Sequence, residues 1–248
     1  MYEPRTYRQL VAGSDLTAFA VMVEETDLLI RADRRLVAAA EKAVRACRDK
    51  IERHARRCAD FLTALEPLPT PRQCPRIVAQ MYDAGAATGV GPMAAVAGAT
   101  AEHVGRALLR RAEEVIVENG GDIFMRSRRE RIVSIYAGES PFTHRIGLRI
   151  PAERTPVGIC TSSGTVGHSK SLGTADAVVV AAADTALADA AATAVANRVK
   201  SDDDVDRALE WGRTVDGVAH IVVIKGSKLG VWGDLEIVPV RPSERIEE

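Results

Sequence analysis

A chain of 248 residues, 46% of them hydrophobic, carries enough apolar mass for one large domain without disulfide or metal staples. Its formal net charge of -1 excludes the basic footprint by which a protein engages nucleic acid or an anionic membrane. Cys47, Cys58, Cys74 and Cys160 form no CxxC pair, which excludes the common zinc patterns and leaves four reduced thiols.

Met1 to Arg5 lack the apolar stretch of a signal peptide or lipobox, and no run reaches membrane-spanning length, so the expected location is the cytoplasm. Ala18 to Val23 and Leu28 to Ile30, joined through Glu24-Glu-Thr-Asp27, read as a β-hairpin. Asp33 then caps a long helix whose apolar stripe, Val37, Ala40, Val44, Cys47, Ile51, His54, Cys58, Phe61 and Leu65, steps by three and four. The arginines outside that stripe alternate with acids at i,i+4, which marks a solvated face, and His54 reads as a satisfied core histidine. Prolines between Pro67 and Pro71 end the helix. A shorter helix follows from about Pro75 to Ala84, and another from Pro92 to about Arg111, whose first half has almost no large side chains.

From Val115 onward strands dominate: Val115 to Val117, Ile123 to Arg126, Ile132 to Tyr136, Arg145 to Ile150, Val157 to Cys160 and Ala177 to Ala181. Helices are expected from Asp184 to Val199 and, with Ser201 as cap, from Asp202 to Val215. Val218 to Ile224 and Leu229 to Val240 read as a closing hairpin around Lys225-Gly-Ser-Lys228. The fold class is α+β with a mostly antiparallel sheet, as one domain that can be divided into intimately packed halves of about 1–115 and 116–248.

Four segments combine glycine with small polar groups. Gly89-Val-Gly91 precedes a helix start, where free amides favour an anion, although a tight entry turn is the commoner explanation. Asn119-Gly120-Gly121-Asp122 is either a plain hairpin turn or a place where a ligand lies on bare backbone between two polar side chains. Thr161-Ser162-Ser163-Gly164-Thr165-Val-Gly-His168-Ser-Lys170 packs hydroxyls, amides and a lysine suited to phosphate, and His168 is its one proton carrier near neutral pH. Asp189 and Thr193 share a helical face and offer the hard oxygens that magnesium accepts, or a purely local hydrogen bond.

Taken in order, Gly91 to Gly98, Asn119-Gly-Gly-Asp-Ile123, Thr161-Ser-Ser-Gly164 and Ala188-Asp-Ala-Ala-Ala-Thr-Ala194 resemble the ApbE family, flavin transferases that attach FMN from FAD to a threonine of a target protein. The resemblance spans roughly Thr88 to Asn197 and is closest to an ApbE-like subfamily carrying the same Thr-Ser-Ser-Gly-Thr-Val-Gly-His-Ser loop. It implies an ApbE-like, T-fold-related mixed fold and a small-molecule cofactor or nucleotide as partner. By position it makes Asp189 and Thr193 a Mg2+ pair at the FAD pyrophosphate. Gly91, Asn119, Gly120, Gly121, Asp122, Thr161, Ser162, Ser163, Gly164, Thr165 and Lys170 would border the cofactor, with His168 as the catalytic candidate. The transferases carry a His-x-x-x-Pro-x-Thr-Gly segment after the Thr-Ser-Gly loop, whereas this chain runs from Gly164 to Ala175 without it. Three functions follow as expectations: a Mg2+-dependent flavin or nucleotidyl transferase, a flavin carrier without turnover, or an enzyme on a pterin-like or nucleotide-like substrate. The long helix face and terminal hairpin offer surface for a homodimer.

Overall fold

A computed structural model describes residues 15–164 and 172–240. The chain opens with the expected hairpin, β1 (Thr17–Val23) and β2 (Thr26–Ala32), closed by a tight turn in which Glu24 takes a positive φ of 51°. The first helix, α1, covers Val37–Ala55 and stops ten residues short of the stripe that predicts it. After Arg57 the backbone extends at Cys58, and a one-turn 3-10 helix over Ala59–Leu62 folds Phe61 back into the core. Phe61 is fully buried while Leu65, four residues on, is 66% exposed, so the periodicity outlived the helix by a hydrophobic return rather than by another turn. Asp33 does not cap α1. Its carboxylate accepts from the Glu113 amide at 3.0 Å and ties the end of β2 to the start of β3, and the N-cap position falls to Leu36 without a side-chain bond.

Helix α2 (Arg76–Thr88) begins after Pro75 and ends on Gly89, whose φ of 75° makes the left-handed cap that glycine supplies at no steric cost. The expected helix from Pro92 splits into a 3-10 turn, Pro92–Ala95, and α3 (Val96–Leu108). Then come β3 (Val115–Asn119), β4 (Asp122–Arg126), β5 (Arg131–Ser134), β6 (Ile146–Ile150), β7 (Val157–Ser162) and β8 (Ala177–Ala182). Helix α4 covers Thr185–Ala196, and α5 (Val205–Gly212) follows a capping box in which Ser201 and Asp204 satisfy one another's backbone amides. The chain closes with β9 (Val218–Lys225), β10 (Lys228–Gly233) and β11 (Ile237–Pro239). The expected last strand is thus two: Gly233, at φ 113°, breaks it, and β11 leaves for the second sheet.

Eight strands form one sheet in the order β1-β2-β3-β4-β7-β8-β9-β10, every neighbour antiparallel, and β11-β6-β5 form a second, smaller one. Alternation along the strands divides the core accordingly. Val117, Phe124, Cys160 and Val180 face the helices, whereas Ile116, Ile123, Ile159 and Val179 pack with Val133, Ile135 and Leu148 of the small sheet. No helix among the described residues is long and apolar enough to cross a membrane.

Candidate functional site

Helix α4 lies on the sheet at a distance that only glycines permit. A Cβ at Gly158 of β7 would fall 2.5 Å from the Thr185 Cα, and one at Gly98 of α3 would fall 2.4 Å from the Thr185 carbonyl oxygen. Wedged between those two glycines, α4 carries Asp189 against the first turn of α3. There the Gly98 amide donates to Asp189 Oδ2 at 2.8 Å, and the Ala97 amide also supports the carboxylate. Helix α3 has no side-chain cap of its own at Ala95, so Asp189 caps it from 91 residues away. Asn119 adds a second tie to the same turn, its Nδ2 donating to the Ala97 carbonyl at 3.1 Å.

Gly120 and Gly121 form the two-residue turn joining β3 to β4, with φ of 68° and 104°. The hairpin reading of Asn119-Gly-Gly-Asp122 is therefore correct as local structure. The turn also delivers Asp122 to the helix-facing side of the sheet, 6% exposed, beside Asp189. The Asp122 carboxyl is bonded by the Cys160 thiol and the Thr161 amide, yet its Oδ1 has no hydrogen-bond partner among the described residues. Burial first, then the charges of Asp189 and Glu118, hold the Asp122 carboxyl well above the ordinary carboxylate range. Burial likewise raises Asp189 against the opposing pull of the Gly98 and Ala97 amides. Glu118, buried at the same turn, accepts from the Gly121 amide at 2.9 Å. Burial and these carboxylates push the Cys160 thiol far up, so it stays protonated; its Sγ also lies 3.4 Å from the Thr185 carbonyl.

The other expected residues fall into three groups. Thr193 is buried one turn beyond Asp189 on α4, and Ser162 is buried at the end of β7, its Oγ without a hydrogen-bond partner among the described residues. Thr161 crosses above Gly121, its carbonyl oxygen 3.8 Å from where a Cβ there would be, and Ser163 and Gly164 follow it. Gly164 donates to the Ala175 carbonyl at 2.9 Å and abuts Gly173 so closely that no side chain fits. Gly91 belongs elsewhere: it donates to the Leu65 carbonyl at 3.0 Å and packs on the Ala64 backbone, which accounts for a glycine there. Thr165, His168 and Lys170 lie outside the described residues. Sequence reasoning missed Glu118 and Cys160 as members of the cluster. The available signal was an acid directly after the apolar run Val115-Ile-Val117 and a thiol directly before three hydroxyls. Among the described residues, no group of three or more His, Cys, Asp or Glu is arranged to hold a metal ion.

An antiparallel eight-stranded sheet, helices on one face, a small sheet on the other and an Asn-Gly-Gly-Asp turn against an Asp-x-x-x-Thr helix define an ApbE-like protein. The flavin transferase ApbE of Vibrio cholerae superposes with a TM-score of 0.52 at 12% identity, covering 88% of this chain and 96% of that one. The flavinyl transferase ApbE of Pseudomonas stutzeri gives 0.51 at 14%, covering 88% and 94%. The chain belongs to the family described as AbpE bacteria, whose match runs over residues 8–227. Its relatives include a UPF0280 protein of Methanopyrus kandleri, 45% identical over 86% of this chain and 89% of that one. Another is a UPF0280 protein of Methanocaldococcus jannaschii, 38% identical over 87% and 90%.

Proposed function

We propose that this protein binds FAD, or a closely related phosphate-bearing flavin, together with Mg2+ at the Asp122–Asp189 site. The observation that carries the reading is the buried Asp122 carboxyl with one oxygen unsatisfied, facing a second carboxyl whose ionisation is also suppressed. Two such groups are expensive to ionise together unless a cation joins them. The donor set fits that cation: carboxylates at Asp122 and Asp189 and the Thr193 hydroxyl are hard oxygens, and a hydrated magnesium completes its shell with phosphate oxygens and water. When bound, the ion would neutralise the pyrophosphate and polarise its bridging oxygen. Around it, Asn119 and the bare Gly120-Gly121 backbone leave room for the ligand, and the Ser162 hydroxyl is available to a phosphate oxygen.

The test is calorimetric titration of the purified chain with FAD, with and without MgCl2, alongside Asp122→Asn and Thr193→Val. Binding that requires Mg2+ and weakens by roughly ten-fold or more in Asp122→Asn is expected, a loss of about 1.4 kcal/mol or more. Mg2+-independent binding, or none, overturns the reading. A second reading, a carrier that holds the flavin without turnover, is favoured by the direct run from Gly164 to Ala175 without the transferase segment. Chromatography of FAD incubated with protein and Mg2+ separates the two, since only a transferase or hydrolase releases FMN or AMP.

A further inference from the structure

Glu102 of α3 is a buried acid, 4% exposed, four residues after Gly98 on the same helical face. Its Oε2 accepts from the Thr185 amide, the first of α4, at 2.8 Å, and its Oε1 accepts from Arg106 Nε at 2.7 Å. The contact mirrors the bond from Gly98 to Asp189. Gly98 of α3 donates to an acid of α4, and Thr185 of α4 donates to an acid of α3. On each helix the amide and the acid stand four residues apart. Residue 98 meets 189 while 102 meets 185, so the helices run in opposed directions at the contact and each caps the other's first turn.

Capping α4 does not in itself require Glu102. Asp184 holds the N-cap position and accepts from the Leu187 amide at 3.0 Å, which meets the local demand. What Glu102 adds is a tie between helices, and α2 reinforces it. Gln80 donates its Nε2 to Asp184 Oδ2 at 2.8 Å, the same nitrogen lies 3.5 Å from Glu102 Oε2, and Gln80 Oε1 is 3.0 Å from His103 Nε2. Both neighbours of the Gln80 nitrogen are carboxylates, so its oxygen faces His103 and His103 Nε2 carries the hydrogen. Thr185, Asp189 and Thr193 follow at four-residue intervals along one face of α4. The bond at Thr185 therefore fixes the rotation and depth of the face that presents Asp189 one turn later and Thr193 two turns later.

We propose that Glu102 is a positioning residue for the Asp122–Asp189 site, holding α4 in the register at which Asp189 and Thr193 serve one ion together. This role rests on the reading of that site as one for Mg2+. Removing a group that orients a metal ligand costs roughly 10- to 100-fold in metal affinity. A merely structural acid, by contrast, lowers stability when removed and leaves the requirement for the ion where it was.

The experiment compares the full chain with Glu102→Ala, Glu102→Gln and Val21→Ala. Val21 is buried on β1, at the edge of the sheet beside β2, so truncating it lowers stability away from α4. Each protein is read twice: exchange of the Gly98 amide without ligand, and the MgCl2 concentration at half-maximal FAD binding. Glu102→Ala should quicken exchange at Gly98, whose bond Glu102 does not itself make, and raise the half-maximal MgCl2 concentration by roughly 10- to 100-fold. Glu102→Gln keeps an oxygen for the Thr185 amide and should recover most of both. Val21→Ala should leave the Mg2+ requirement at the parent's value. A Glu102→Ala protein that matches Val21→Ala in both readouts overturns the proposal, as does Glu102→Gln impaired as severely as Glu102→Ala. Should the alanine variant not fold, Glu102→Asp keeps the charge but draws its oxygens back from the Thr185 amide; a raised Mg2+ requirement supports the proposal and a parental one overturns it. If the parent itself binds FAD without regard to Mg2+, the reading of the site falls and the role of Glu102 with it. Parental Mg2+ dependence that survives in Glu102→Ala removes only that role and leaves the site standing.

Discussion

His220 of β9 offers the sharpest test of the energetics. It is fully buried (0% exposed) on the face beneath the small sheet; its Nδ1 accepts from the Leu235 amide at 3.3 Å and its Nε2 has no partner among the described residues. Burial lowers its pKa from 6.5 to about 4; Asp234 opposes the shift and Arg154 adds to it. A histidine whose folded pKa is depressed binds its proton more readily in the unfolded chain, so stability is lost as pH falls from about 6.5 to about 4 and levels off below. At about 1.36 kcal/mol per unit, that window amounts to roughly 3 kcal/mol, against a total stability of about 5–15 kcal/mol for a domain. Asp122 and Asp189 act in the opposite direction, since carboxyls with raised folded pKa values favour the fold as pH falls. The measurement is therefore a difference: urea unfolding of the parent and of His220→Gln from pH 7.5 to 4.0. The parent should lose roughly 3 kcal/mol relative to the variant across the window, whatever the constant offset between them. Parallel profiles would show that His220 gains a proton in the folded state as easily as outside it, and would refute the reasoning.

Gly98→Ala places a methyl 2.4 Å from the Thr185 carbonyl oxygen and 2.8 Å from the Asp189 Cβ. It should cost about 1–3 kcal/mol in urea unfolding as α4 is driven off α3, and a variant as stable as the parent would mean that this contact is not tight. Phe61→Ala should cost about 3–5 kcal/mol, while Leu65→Ala should stay within about 0.5 kcal/mol, because only the first is buried. Comparable losses at both sites would restore the long helix in place of the break at Cys58.

The hairpins, the alternation of the strands and the punctuation by Pro75 and Ser201 are legible in the residues because each is a local matter of dihedral freedom or capping, whereas α2 runs past the expected end at Ala84 to its cap at Gly89. The helix end at Ala55 is not, since Phe61 and Leu65 continue the same stripe and only tertiary packing decides which is buried. Asp33 fails as a cap for a related reason: the Glu113 amide, 80 residues away, outcompetes the local one. The site divides similarly. Asn119, Asp122, Thr161, Ser162 and Asp189 can be picked out by residue type, but Glu118 and Cys160 join them only through strand pairing, and Gly91 matches the motif while serving a different contact.

The bond from Gly98 to Asp189 gives the same carboxylate a duty in holding α3 beside the one proposed for it as a metal ligand. Asp189→Ala would unfasten the first turn of α3 as it removed the proposed ligand, so affinity alone does not tell the two origins of a loss apart. The exchange rate of the Gly98 amide separates them: it should quicken in Asp189→Ala and stay slow in Asp122→Asn, whose carboxyl spans no helix end. The same amide turns into a native reporter. Whatever withdraws charge from Asp189 is felt there, 91 residues earlier in the chain, without a label having to be placed in the site.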